Sequence, residues 1–145
     1  MFGVEKERAL RVAASIEMVH SYSLVHDDLP SMDNDKLRRG KLTTHKKFDE
    51  AIAILTGDSL LTLSFEILSN TLTHSDANIR CELILELAKA AGALGMVGGQ
   101  MMDLRAENKN LNIGVITRIQ RLKTGALISF ACISGAILGR AEKKD

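Results

Sequence analysis

The residues best suited to chemistry are four carboxylates within nine positions, followed at once by four basic side chains. The acids are Asp27, Asp28, Asp33 and Asp35, and the bases are Lys36, Arg38, Arg39 and Lys41. Two carboxylates about 5 Å apart repel by roughly 3 kcal/mol at an effective dielectric of 20, so the cluster requires a cation. Mg²⁺ takes one or two carboxylates together with waters and phosphate oxygens. The segment therefore predicts a metal site with basic side chains that bind phosphate beside it.

This segment has two other interpretations. The simpler one is a solvated loop with local salt bridges. A calcium-binding EF-hand loop fits poorly, because a loop that begins at Asp33 has Arg38 where glycine is required and Thr44 where the bidentate glutamate belongs. The doubled aspartate lies at a predicted helix C-terminus, where the helix dipole is unfavourable to negative charge, and this placement favours a bound cation.

Helices must position these residues, because the composition predicts an all-α fold. Pro30 is the single proline and aromatic residues make up 3% of the chain, which favours long uninterrupted helices over strands. Apolar spacings of three and four predict four helices, separated after the first by a polar loop over 31–47. Their expected ranges are about 5–29, 48–70, 76–107 with Ser75 as N-cap, and 113–138, with a kink at Gly98-Gly99 and a bend near Gly125.

Length and charge limit the class of protein. The 145 residues suit one domain over 1–145, and 19 Lys+Arg against 18 Asp+Glu argue against nucleic-acid binding. The 16-residue uncharged run from Thr124 spans about 24 Å, which is short for a bilayer core of roughly 30 Å, and Asp58 interrupts the other apolar run. We expect no membrane span. Cys81 and Cys132 lack disulfide or metal spacing, so the expected location is the cytoplasm.

The acidic and basic segment also resembles a known family. Asp27-Asp28-Leu29-Pro30-Ser31-Met32-Asp33 and Leu37-Arg38-Arg39-Gly40 resemble the first aspartate-rich motif of trans-isoprenyl diphosphate synthases, the polyprenyl synthetases, and most closely the bacterial type that forms farnesyl diphosphate. Four further segments match in family order. They are Thr44-His45-Lys46-Lys47-Phe48-Asp49-Glu50, Gly57-Asp58, Gly98-Gly99-Gln100 with Asp103, and Lys123-Thr124-Gly125-Ala126-Leu127.

The resemblance implies an isoprenoid synthase bundle and a Mg²⁺-dependent prenyl transfer. An allylic diphosphate would ionise, and the double bond of isopentenyl diphosphate would attack the resulting cation head to tail. The resemblance implies metal ligands at Asp27, Asp28 and Asp33, with Lys123 joining Asp27 and Asp28 in the catalytic set. The implied substrate contacts are Arg38, Lys123 and Thr124 to the allylic diphosphate, His20 and Arg39 to isopentenyl diphosphate, and Gln100 with Asp103 along the cavity.

Three of these residues have a plain structural alternative. His20 lies seven residues before Asp27, hence two turns away on nearly the same helix face, although a lone helical histidine is commonly a core residue. Asp103 could equally form a salt bridge to a neighbouring base. The resemblance implies that Tyr22 forms the floor of a pocket that limits the product to farnesyl length, a role compatible with ordinary core packing.

The sequence departs from the family at two places. Lys36 stands where an acidic run is more usual, and after Thr124 the only acids are Glu142 and Asp145. No N-terminal Gly-Gly-Lys-Arg segment and no second aspartate-rich motif are found. We therefore expect a central, partial polyprenyl synthetase domain that is nearly inactive alone. It would belong to a homodimeric full-length enzyme or work with a separately encoded C-terminal half.

Two alternatives to an active enzyme stay open at this point. The chain could be a non-catalytic partner subunit or remnant that keeps a diphosphate-binding half-site. A terpene cyclase is a weaker alternative, because Leu37-Arg38-Arg39-Gly40 and Lys123-Thr124 suit two diphosphates better than one.

Overall fold

The structure, a computed structural model, describes residues 2–141, so Glu142 and Asp145 lie outside it. It confirms the all-α class. The helices are α1 (Lys6–Asp27), α2 (Thr44–Lys47), α3 (Glu50–Ser69), α4 (Ala77–Ala91), α5 (Met96–Ala106), α6 (Ile113–Gln120) and α7 (Ala126–Leu138). A π-helical segment, Arg121–Gly125, joins α6 to α7, and one hairpin pairs β1 (Leu37–Arg38) with β2 (Lys41–Leu42).

The expected third helix is wrong as a single element. It is broken between α4 and α5, and the break falls at residues 92–95 rather than at Gly98-Gly99, which lie inside α5. A Cβ on Gly95 would overlap the carbonyl of Ala90, so the turn depends on the missing side chain. The N-cap is Asp76 and not Ser75, because the Asp76 carboxylate accepts a hydrogen bond from the Asn78 amide at 2.9 Å.

The polar loop after α1 is more ordered than expected. It contains the β1–β2 hairpin and the short helix α2. The two-residue turn has positive φ at Arg39 (53°) and Gly40 (77°), which is the combination that a type I′ hairpin requires. Leu37 pairs with Leu42 and Arg38 with Lys41.

The chain divides into two compact units, of which one comprises Ala14–Ile67. In this unit α1 and α3 pack antiparallel, because Ser15 Oγ donates to the Ser64 carbonyl at 3.0 Å and His26 Nε2 lies 3.0 Å from the Ile54 carbonyl. Asp49 begins α3 by accepting a hydrogen bond from the Ile52 amide at 2.7 Å. These elements hold the acidic and basic loop.

The described residues of the other unit are 2–13 and 68–141, with helices α4 to α7. Its core includes Leu83, Leu87 and Phe130, where α4 packs along α7. Helix α5 packs against the π-helical segment, and a Cβ on Gly99 would overlap the backbone nitrogen of Lys123. The absence of a side chain at Gly99 therefore allows the two backbones to meet at Lys123.

Two helical stretches are long enough and apolar enough to cross a membrane. They are Glu50–Ser69, with a mean hydropathy of 1.6, and the continuous stretch Ile113–Leu138, with 1.3. Core helices of soluble proteins meet the same test, so it gives only weak support for a membrane location.

The close approach at Gly99 gives a first test. Gly99→Ala should lower the free energy of unfolding by about 1–3 kcal/mol, because overpacking outweighs the gain in helix propensity. Gly135→Ala is the matched control: nothing lies within 4 Å of its added Cβ, so stability should rise by about 0.5–1 kcal/mol. Urea unfolding followed by circular dichroism measures both. Equal effects of the two variants would contradict the close approach.

Candidate functional site

The acidic loop folds back onto the C-terminal end of α1. The Asp33 amide donates to the Asp27 carbonyl at 2.9 Å, and the Asn34 amide donates to the Leu29 carbonyl at 3.1 Å. The first of these bonds uses a carbonyl group that the end of a helix leaves unsatisfied. The bond between the Asp33 and Asp27 backbones places both residues at the same end of α1. Asp27 is half-buried there and Asp33 is exposed.

Asp28 is buried and holds the guanidinium of Arg38. Arg38 Nε donates to the two carboxylate oxygens at 2.9 and 3.0 Å, and Arg38 Nη2 donates to Oδ1 at 2.6 Å. The Asp28 side chain is 5% exposed and the Arg38 side chain 32%. The hydrogen bond to Asp28, followed by the charges of Asp28, Asp35 and Asp27, raises the pKa of Arg38 above its ordinary value, so the guanidinium stays charged.

The remaining charges of this loop are more exposed. Asp35 lies 3.8 Å from Arg38 Nη2, and Arg39 is exposed at the tip of the hairpin. Lys36 is exposed as well. Among residues 2–141 no group of three or more His, Cys, Asp or Glu side chains is arranged to hold a metal by itself. A cation bound here would need oxygen ligands from water or from a substrate.

A second predicted pair forms in the unit with α4 to α7. Lys123 Nζ, in the π-helical segment, donates to Asp103 Oδ2 on α5 at 2.7 Å. The two side chains are 33% and 46% exposed, so solvent screens this ion pair. Gln100 is partly buried one turn before Asp103, and Thr124 is exposed. The salt bridge weighed as the structural alternative for Asp103 is therefore present, and its partner is the predicted Lys123.

The remaining predicted residues lie on α1. Tyr22 is buried, and burial raises the pKa of its phenol above the ordinary value, so the hydroxyl stays protonated. His20 is half-buried, and its carbonyl accepts a hydrogen bond from Ser23 Oγ at 2.8 Å.

His26 joins this part of α1, although it is not among the residues predicted from the sequence. Its ring meets the Tyr22 ring edge-on, with centroids 5.7 Å apart, and its Nε2 lies 3.9 Å from Asp58 Oδ1. A Cβ on Gly57 would overlap the His26 ring. The sequence contained a sign of this contact. His26 lies four residues after Tyr22, hence on the same helix face, and Gly57-Asp58 is one of the segments that match the family.

The predicted residues thus form two local pairs, each within its own unit. Asp28 pairs with Arg38 in the unit of α1 to α3, and Asp103 pairs with Lys123 in the other. In each pair a carboxylate from one element fixes a cation from another. Cations held in this way can bind anionic oxygens without first losing the freedom of a mobile side chain.

The all-α fold and these acid–base pairs agree with the isoprenoid synthase class that the sequence resemblance implies. The family model for polyprenyl synthetase matches residues 1–145, and the chain belongs to that family. It is 46% identical over 145 residues to the farnesyl diphosphate synthase of Bacillus subtilis, covering 99% of this chain and 49% of that protein. The chain therefore spans about half the length of the curated relatives it matches.

Solved structures agree with this assignment. The apo structure of a FPP/GFPP synthase from Zymomonas mobilis superposes with a TM-score of 0.94 at 56% identity, covering 98% of this chain and 52% of that one. A geranyltransferase from Helicobacter pylori, complexed with magnesium and isoprenyl diphosphate, superposes with a TM-score of 0.86 at 44% identity, covering 92% and 43%.

A double-mutant cycle tests the Asp28–Arg38 pair. Arg38→Gln should lower the free energy of unfolding by about 2–3 kcal/mol, because it leaves a buried carboxylate without its counter-charge. Asp28→Asn should cost less, since the partly exposed guanidinium regains water, and the double variant should cost less than the sum of both. Urea unfolding measures each. Arg39→Gln, at the neighbouring exposed arginine, is the control and should change stability by less than about 0.5 kcal/mol; an equal loss for both arginine variants would contradict the pairing.

Proposed function

We propose that this chain is part of a prenyltransferase that condenses an allylic diphosphate with isopentenyl diphosphate head to tail, forming chiefly farnesyl diphosphate. The observation that carries the proposal is the Asp28–Arg38 pair beside Asp27 and Asp33. It places a fixed guanidinium near the half-buried Asp27 and the exposed Asp33, and a guanidinium and carboxylates are the two kinds of group needed for a metal-bound diphosphate. The names of the relatives, farnesyl diphosphate synthase and FPP/GFPP synthase, support the same reaction.

The donor groups of this loop fit Mg²⁺. The ion takes one or two carboxylates and fills its remaining positions with water and phosphate oxygens, so it needs no cluster of three protein ligands. Asp27 and Asp33 would hold it. Asp28 belongs to the ligand set that the resemblance implies, but its carboxylate accepts bonds from Arg38, and we assign it to holding that arginine. Bound Mg²⁺ supplies positive charge to the departing diphosphate.

The chain's own cations stabilise the same negative charge. When an allylic diphosphate ionises, negative charge develops on the oxygens of the departing diphosphate. Hydrogen-bond donors that are already in position stabilise this charge and so lower the activation barrier of ionisation. We propose that Arg38, Lys123 and Thr124 bind the allylic diphosphate. Arg39 and His20 would bind isopentenyl diphosphate. Gln100 and Asp103 would line the cavity, where Asp103 keeps the Lys123 ammonium in place through its 2.7 Å hydrogen bond.

The working assembly and its location are also proposals. We propose that the functional protein is a homodimer, or that this chain assembles with a separately encoded C-terminal half. A cytoplasmic location is supported by Cys81 and Cys132, which are free and exposed.

A non-catalytic partner subunit that keeps a diphosphate half-site is a second candidate. The observation that favours it is that the carboxylate of Asp28, one of the implied metal ligands, is taken up by hydrogen bonds from Arg38. An assay with labelled isopentenyl diphosphate, geranyl diphosphate and Mg²⁺ tests whether the chain turns over substrate by itself. We expect little turnover from the purified chain. Robust turnover by it would exclude the partner-subunit alternative and the expectation that the chain is incomplete.

The catalytic role of Lys123 can be tested in a chimaera, in which this chain replaces the matching segment of the Bacillus subtilis enzyme. Lys123→Gln should lower kcat/KM for geranyl diphosphate about 100-fold, because it removes a cation from the leaving diphosphate. Lys109→Gln, at an exposed lysine in the loop after α5, is the matched control and should stay within about twofold. An inactive chimaera with native helix content, or equal kinetics for both variants, would count against the proposed function.

The chain-length role of Tyr22 is tested in the same chimaera. Tyr22→Ala removes a buried ring and should lengthen the product beyond farnesyl diphosphate, whereas Tyr22→Phe keeps the ring and should leave product length unchanged. Chromatography of the dephosphorylated products measures the distribution. An unaltered distribution in Tyr22→Ala would remove Tyr22 from the pocket.

A further inference from the structure

A buried hydrogen-bond network lies at the base of the β1–β2 hairpin. Thr43 is 3% exposed and His45 6%. Thr43 Oγ1 lies 2.8 Å from the Asp35 carbonyl oxygen and 3.2 Å from His45 Nδ1, and the Thr43 amide donates to the Lys36 carbonyl at 3.1 Å. One threonine therefore ties both ends of the hairpin together, and the histidine holds the threonine.

The Thr43 side chain makes these bonds and not the capping bond that its position would normally favour. It occupies the N-cap position of α2, where a threonine hydroxyl commonly accepts a hydrogen bond from the first turn of the helix. Here the side chain makes no such bond. The hydroxyl is directed at the hairpin and at the His45 side chain, and not at the backbone amides of α2.

The geometry determines which atom carries each proton. The Asp35 carbonyl oxygen can only accept, and the hydroxyl has a single hydrogen, so Thr43 Oγ1 donates to it at 2.8 Å. The hydroxyl has only lone pairs left for His45. His45 Nδ1 must therefore be the donor across the 3.2 Å contact, which means that Nδ1 is protonated.

The other ring nitrogen fits the same assignment. His45 Nε2 is buried and has no hydrogen-bond partner within the described part of the chain. A second proton there would bury a charged donor without an acceptor, which is costly. Nδ1 is therefore the nitrogen placed to carry the proton of the neutral ring.

The hairpin needs such an anchor because it is very small. Each strand has two residues, and an isolated hairpin of that size is not stable in water. Yet β1 carries Arg38, whose guanidinium must reach Asp28 with three short hydrogen bonds. The register of those bonds depends on where the base of the hairpin is held.

We propose that His45 is a positioning residue: in its Nδ1-protonated form it orients the Thr43 hydroxyl, which fixes the hairpin and thereby holds Arg38 ready for a diphosphate. The statement about diphosphate rests on the proposed function. The statement about the hairpin does not, and the two are measured separately.

The tautomer is measured first, in the 145-residue chain itself. Nitrogen-15 NMR of the histidine side chains at a pH where the rings are neutral should assign the unprotonated nitrogen of His45 to Nε2. This is the reverse of the tautomer that dominates free histidine. Protonation at Nε2 would overturn the proposal without any variant being made.

Two matched pairs of variants then test the consequence for Arg38. Thr43→Val and His45→Leu remove the hydrogen bonds at similar volume, whereas Thr43→Ser keeps the hydroxyl and His45→Asn keeps a donor near the Nδ1 position. We expect the Arg38 Nε–H to exchange with solvent about tenfold faster in the first two, at unchanged helix content, and at the wild-type rate in the others. If Thr43→Val does not fold, the proposal is tested by His45→Leu, by His45→Asn and by the tautomer of His45 in the wild-type chain.

Binding of inorganic pyrophosphate with Mg²⁺, followed by calorimetry, gives the final readout. The affinity should fall about tenfold in Thr43→Val and His45→Leu and be restored in Thr43→Ser and His45→Asn. Unchanged Arg38 exchange in all four variants would overturn the proposed positioning. A wild-type chain that binds no pyrophosphate, but whose Arg38 exchange responds as expected, would support the hairpin anchor while contradicting the proposed diphosphate site.

Discussion

Burying a carboxyl group beneath a surface loop is costly unless the group is paired and hydrogen-bonded, and Arg38 provides both for Asp28. Much of the local structure follows from that pairing. The arginine must approach from a separate element, so the chain turns back after α1, forms a two-residue hairpin turn with positive φ at Arg39 and Gly40, and returns to α2 through the buried Thr43. The loop with the densest charge in the sequence is thus an ordered element whose position depends on one ion pair and its supports.

The second half of the chain places a cation by different means. Lys123 lies in a π-helical segment, and its backbone meets α5 at Gly99, where no side chain intervenes. The ammonium then reaches Asp103 on the same helix, one turn after Gly99. Segments of this kind are often found where a helix carries functional residues, because the extra residue redirects side chains without ending the helix. In both pairs the carboxylate, Asp28 or Asp103, holds a basic side chain in place.

The helices were predictable to the extent that their apolar residues repeat. Helices α1 and α3 and the stretch from 113 to 138 follow the predicted ranges closely, including the irregularity before Gly125. The break between α4 and α5 was missed because glycines at 92 and 95 leave the apolar period unchanged, and only the packing against Ala88 and Ala90 carbonyls shows that the chain turns there. The hairpin was missed because strands of two residues carry no period. The N-cap of α4 was predicted one residue too early, at Ser75, because only the local backbone geometry shows that Asp76 accepts the hydrogen bond from the first turn.

The sequence by itself determined the all-α class, the family and the order in which acids, bases and glycines occur, because these depend on residue type and spacing along one chain. It also supplied nearly all of the residues that form the candidate site. Which residues touch was decided only by the tertiary structure. Asp28 and Arg38 are ten positions apart, Asp103 and Lys123 twenty, and His26 gains Gly57 and Asp58 as neighbours from another helix. An ion pair of this kind depends on the direction of a turn and on burial, and neither is encoded by the spacing of charges alone.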